Sequence, residues 1–189
     1  PKTAKPLVAS QDLLKEVPQS RLFDEMFKLL QTGHSLASIE QLIQLQLQNG
    51  IYPLLSVVVE RSKHVLVQSV LADTDQRVKE GRAVAPSFLL ACVLWEDVKL
   101  GWDAKVAQGI HKVPALQEAV DEVFNLRIGD VSGRGKLASD MREIWAMQPR
   151  FEKRTGSGPW SLVDHPRYRA GFDFLQLRAK SGEVEESLA

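Results

Sequence analysis

Tyr52 to Val59 reads YPLLSVVV, and on this stretch the fold class turns. Its run of valines suits a strand, because β-branched side chains pack well on a pleated surface. Pro53 argues the other way, since proline fits the first helical position, where its missing N–H would be unpaired in any case. The segments on either side carry helical period, so the stretch is assigned as helix. With it gone, no period-two segment bounded by turn residues remains, and no internal repeat of fixed length is visible. The chain therefore reads as all-α.

Working towards the N-terminus, Ser35 is expected to cap the helix LASIEQLIQLQLQ, which Asn49 and Gly50 end. Before it, Ser20 caps RLFDEMFKLLQT, with Leu22, Phe23, Met26, Phe27 and Leu30 on one apolar stripe and Gly33 as the stop. Pro1 to Ser10 is an irregular lead-in, and Asp12 to Val17 a short helical turn ended by Pro18.

In the other direction, Arg61 to Lys79 continues as a long amphipathic helix through Val65, Leu66, Val70 and Leu71, closed by Gly81. Pro86 opens Ser87 to Trp95, the most apolar segment and the centre of the expected core. Cys92, the single cysteine, lies inside it as a buried thiol. Trp102, Val106 and Ile110 keep helical spacing, and Pro114 starts a helix that supplies Leu116, Val120, Val123 and Phe124. The glycine-rich IGDVSGRG at Ile128 to Gly135 marks a boundary. The expected division is residues 1–33 as lead-in and first long helix, 34–130 as helical body, and 131–189 as a basic C-terminal subdomain.

Formal net charge is zero, yet from Arg134 to Lys180 ten Lys/Arg stand against five Asp/Glu. Within that region Met141 to Ala179 reads MREIWAMQPRFEKRTGSGPWSLVDHPRYRAGFDFLQLRA, with cations interleaved among aromatic residues. Cations neutralise phosphates and flat rings offer a face to unstacked bases, so this pattern is the footprint of a nucleic-acid binder; a solvated basic helix face is the competing reading. Met141, Ile144, Trp145, Gln148 and Phe151 share one helical face. Arg142, Ala146 and Arg150 share another, with Lys153 and Arg154 close to it. Asp164 or His165 is expected to cap the last helix, with Pro166, Arg167 and Arg169 in its first turn. Cations there oppose the helix dipole, which would favour an anionic ligand.

Other chemistries fit poorly. Asp73-Thr74-Asp75 has the form used to hold two magnesium ions, but it lies in a helical pattern with no third acid or preceding Gly-Ser loop. His34, His64, His111 and His165 are dispersed, without metal-ligand spacing. SGRGK at Ser132 to Lys136 lacks the full phosphate-loop pattern and reads as a hinge. No signal peptide and no apolar run near the ~18 residues of a membrane span are present, so a cytoplasmic location is expected. The first residues, PKTAKPLVASQ, lack an initiating methionine and suggest a fragment or a processed chain.

Three stretches, in order, resemble the C-terminal portion of the bacterial poly(A) polymerases, class II nucleotidyltransferases related to CCA-adding enzymes. PQSRLFDEMFKLLQTG from Pro18 resembles the neck helix of that superfamily, with Arg21, Glu25 and Lys28 at its Arg-x-x-x-Glu-x-x-Lys positions. DTDQRVKEGRAVAPSFLLACVLW from Asp73 resembles the body domain, and REIWAMQPRF, RTG and WSLVDHPRYRAGFDFLQLRA resemble the RNA-binding region. The resemblance implies an all-α neck and body module without catalytic or metal-binding residues, cut from an enzyme that adds adenylate to RNA 3′ ends. The intact enzyme would use ATP and Mg2+, and its catalytic head is missing here, so this chain should be inactive alone. RNA is the implied partner, with a DEAD-box RNA helicase as another. Arg21, Glu25 and Lys28 would support the nucleotide pocket from behind. Arg142, Trp145, Arg150, Lys153, Arg154, Trp160, Arg167 and Arg169 are the candidate RNA contacts. The alternatives are the body of a tRNA CCA-adding enzyme and a non-enzymatic helical protein-interaction module.

Overall fold

A computed structural model describes residues 5–47, 52–128 and 135–189. Every regular element among them is helical. The chain packs as two compact units, Pro1–Val84 and Ala85–Ala189. Pro53 occupies the start of a helix, Pro53–Arg61, and the valines of YPLLSVVV point inward from it.

The first unit contains α1 (Lys5–Ala9), a 3-10 turn (Gln11–Glu16), α2 (Gln19–Leu30), α3 (Ser35–Gln44), α4 (Pro53–Arg61) and α5 (Val65–Lys79). The lead-in is thus helical for one turn more than expected. All five residues of the α2 stripe are buried. Pro18, not Ser20, stands at the α2 N-cap, and no side chain caps the helix. Ser35 is likewise one position too far in to cap α3. The Ser35 amide instead donates to both carboxylate oxygens of Asp75, at 2.9 and 3.0 Å. A carboxylate forty residues away in sequence therefore takes the role assigned to a local hydroxyl.

The same contact explains the Asp-x-Asp pair. Asp75 caps α3, and Asp73 accepts from Arg77 one turn along α5 at 2.7 Å, so both acids serve structure. Two boundaries differ from expectation. Helix α3 ends at Gln44 through paired bonds, Gln46 N–H to Ile43 C=O and Leu47 N–H to Leu42 C=O, with Gln46 left-handed at φ 55°. Asn49 and Gly50, expected as the stop, lie outside the described residues. The run from Arg61 is broken before α5 starts, which leaves Val65 at the new N-terminus and 56% exposed rather than in the core.

The second unit contains α6 (Pro86–Val93), α7 (Trp95–Ala107), α8 (Lys112–Val123), a π-helical turn (Phe124–Ile128), α9 (Gly135–Phe151), α10 (Gly158–Val163), α11 (Tyr168–Lys180) and a 3-10 turn (Glu186–Leu188). Every side chain from Ser87 to Trp95 is buried, as the apolar run predicts. Helices α9 and α11 pack on α6 and on each other, while α7 and α8 form a hairpin. Part of the expected basic subdomain, α9, thus packs on α6 and α8. Helices α9 and α11 approach closely at Gly171, where a Cβ would meet the Met147 Cε at 2.9 Å.

The second unit is tied at one buried polar cluster. Arg178 Nη1 donates to Gln148 Oε1 at 2.9 Å, and its Nε and Nη2 donate to Glu183 Oε1 at 3.0 and 2.9 Å. The guanidinium lies 4.5 Å from the centre of the Trp95 ring, and the Trp95 indole N–H donates to the same carboxylate. Gly182, at φ 77°, makes this possible. It turns the chain so that the Glu183 N–H returns to the Arg178 carbonyl at 3.0 Å, which brings the two charged side chains together. No helix among the described residues is long and apolar enough to cross a membrane.

Replacing Arg178 with Met should leave the Gln148 carbonyl without its donor and the Glu183 carboxylate with only the Trp95 indole N–H and no compensating cation, at a cost of about 2–4 kcal/mol. Urea unfolding should show that loss for Arg178→Met, against less than about 1 kcal/mol for Lys28→Ala, which breaks only an exposed pair with Glu25.

Candidate nucleic-acid interface

Helix α9 divides its faces as the spacing predicts. Met141, Ile144, Trp145 and Gln148 are buried, whereas Arg142, Ala146 and Arg150 are exposed. Trp145 is therefore a core residue, with no ring face left for a base to stack on. Its ring is fully buried, edge-on to Phe124, and its indole N–H donates to the Ala91 carbonyl on α6 at 3.0 Å. The two positions diverge because Trp145 falls on the packed α9 stripe. Trp160, by contrast, stands 75% exposed on the short α10.

Most of the candidate arginines are already neutralised. Arg142 pairs with Asp121 of α8 at 2.6 Å and covers the Phe124 ring. Arg167 reaches Asp140 of α9 at 2.6 Å and lies 3.9 Å from Glu143. Arg169 donates to Asp173, one turn on, at 2.8 Å. Arg167 also proves to be the α11 N-cap residue, and its amide donates to His165 Nδ1 at 3.1 Å, so neither Asp164 nor His165 caps the helix. The cost of cations near this N-terminus is thus offset by the protein's own carboxylates. Their positions do not by themselves call for an external anion.

What remains is a smaller set. Lys153 and Arg154 are exposed just past the end of α9, and among the described residues no carboxylate pairs with them. Arg150, also exposed, donates only to the Ser161 hydroxyl of α10 at 3.4 Å. Glu152, in their midst, is drawn to Lys112 at 2.6 Å. Arg150, Lys153 and Arg154 thus form an un-neutralised group beside α10. The carboxylates that silence the other arginines were missed by sequence reading. Only the Arg169–Asp173 spacing, i to i+4, could have revealed one of them.

On α2 of the first unit, Glu25 pairs with Lys28 at 2.8 Å, and Arg21 is exposed. Among the described residues no group of His, Cys, Asp or Glu could hold a metal ion.

Comparison with known proteins adds a class and then a family. A family profile described as "Probable RNA and SrmB- binding site of polymerase A" matches residues 1–58, and one described as "Polymerase A arginine-rich C-terminus" matches residues 108–189. Both describe the polymerase A class, and the first puts its RNA description on the α1 to α4 segment rather than on Met141 to Ala179. The chain is 32% identical over 186 residues to poly(A) polymerase I of Salmonella typhi, covering 95% of this chain and 40% of that protein. It is 33% identical over 181 residues to poly(A) polymerase I of Haemophilus influenzae, covering 92% of this chain and again 40% of the relative. The chain belongs to the bacterial poly(A) polymerase family and spans about 40% of the length of the curated relatives it matches.

The two exposed and buried tryptophans should separate cleanly in stability. Trp145→Ala should lose about 3–5 kcal/mol in urea unfolding, whereas Trp160→Ala should stay within about 0.5 kcal/mol of the parent chain.

Proposed function

We propose that this chain is the RNA-holding portion of a poly(A) polymerase that adds AMP from ATP to RNA 3′ ends. The observation that carries the reading is the group Arg150, Lys153 and Arg154, exposed and without carboxylate partners in a chain of this family. Phosphates of a single strand would lie along these three cations, while Arg142, Arg167 and Arg169 are already paired with the unit's own carboxylates. The profile match over residues 1–58 supports a second contact region, for RNA and for a DEAD-box helicase, on the first unit. Arg21, Glu25 and Lys28 of α2 then support the nucleotide pocket of the intact enzyme, which takes up ATP and Mg2+ in the cytoplasm.

Oligo(A) titrations test the division of labour among the arginines. The Arg150/Lys153/Arg154 triple alanine variant should bind at least about tenfold more weakly. The slope of log affinity against log salt should also fall by about 2, as expected when three single-strand phosphate contacts are lost. The Arg142/Arg167/Arg169 triple variant should bind within about twofold of the parent chain once both are shown to be folded, since those charges are already compensated. Equal losses in the two variants would refute the assignment.

A further inference from the structure

Trp160 is out of place as a packing residue. The other three tryptophans, Trp95, Trp102 and Trp145, are all buried, whereas Trp160 is 75% exposed. It sits on a fixed element. Helix α10 is anchored by the buried Leu162, and Ser161 links it to α9 by accepting from Arg150 at 3.4 Å. Val163, one turn beyond Trp160, is 52% exposed, so α10 turns a small apolar face to solvent.

The charges around that face point to its occupant. Arg150 is attached to α10 itself, and Lys153 and Arg154 lie on the segment leading into it, while Glu152 is held by Lys112. Asp164, exposed at the far end of α10, is the remaining acid on this segment. A flat ring beside an excess of cations suits a group that is both planar and anionic along its chain. An unpaired nucleotide has that combination: the base stacks and the phosphates meet the cations. In a duplex the base faces are covered by their neighbours and cannot reach the ring.

We propose that Trp160 stacks on an unpaired base of bound RNA, so that the second unit takes single-stranded RNA in preference to duplex. This rests on the RNA-binding reading above and assigns it a recognition element. Stacking is tolerant of sequence, because every base has a π-face. The subsite would therefore report strandedness and not base identity.

Intrinsic fluorescence gives a direct test, since Trp160 is the water-exposed emitter and the other tryptophans are buried. Short oligo(A), an abasic strand of equal length and a blunt RNA duplex would be titrated into the parent chain, Trp160→Leu and Trp160→Phe, with affinities for all three read from the anisotropy of an end-labelled strand, because the variants lack the emitter, and with folding checked by circular dichroism. Oligo(A) should quench the parent's emission, and the abasic strand should not. Trp160→Leu should bind oligo(A) at least about fivefold more weakly, Trp160→Phe should recover most of the loss, and all three proteins should bind the abasic strand alike. Equal affinity of the parent chain for oligo(A) and either the abasic strand or the duplex, or parent-like binding of oligo(A) by Trp160→Leu, would overturn the stacking proposal and leave RNA binding standing. No binding of any strand would overturn both. A Trp160 response to polyglutamate with none to RNA would assign the patch to an acidic protein and also overturn the proposal.

Discussion

The Arg178 guanidinium is the interaction on which the second unit depends. It joins α11 to α9 through Gln148, to the chain after α11 through Glu183, and to the start of α7 through the Trp95 ring. A buried cation is costly unless all its donors and its charge are met, and here three donors, a carboxylate and an aromatic face meet them together. Gln148 is itself fixed, since its amide donates to the Ile144 and Gly171 carbonyls. The polar cluster is therefore closed, and closure of that kind favours one arrangement of the helices over neighbouring ones. Around it the Trp95, Phe174 and Trp102 rings meet edge to face and supply the apolar part of the same junction.

A second constraint governs the surface. The stretch from Arg134 to Lys180 carries an excess of cations, but the folded helices set acids against three of the candidate arginines, two of them from another helix and one from the same helix. Asp121 on α8 and Asp140 on α9 neutralise Arg142 and Arg167, and Asp173 neutralises Arg169. The result is a narrower basic surface than the composition suggests, concentrated where α9 runs out and α10 begins. Localised positive charge beside a fixed exposed ring is a better-defined site than a diffuse basic face. It sets apart the cations that have no carboxylate partner from those paired within the unit.

How much of this was legible in the sequence differs from element to element. The α2 stripe, the buried run from Ser87 to Trp95 and the helical reading of YPLLSVVV all follow from period and proline placement, and the structure agrees with each. Helix ends were read less well. Ser20 and Ser35 looked like caps, but α3 is capped by Asp75 from α5, a partner no local pattern can name. The candidate site was legible as a region and blurred as a list. Trp145 and Trp160 have the same side chain in the same basic stretch, yet one fills the core against α6 and the other faces water.

The sequence by itself determined the all-α class, the main helices and which face of each is apolar, because these depend on spacing within one segment. The resemblance to the poly(A) polymerases was visible there too, in the order of three short stretches. Only the tertiary structure decided which charges remain available and which rings are exposed. That outcome depends on pairs such as Arg167 with Asp140 and Arg178 with Glu183, and such pairs form only when packing, or a left-handed glycine, brings distant groups within hydrogen-bond reach.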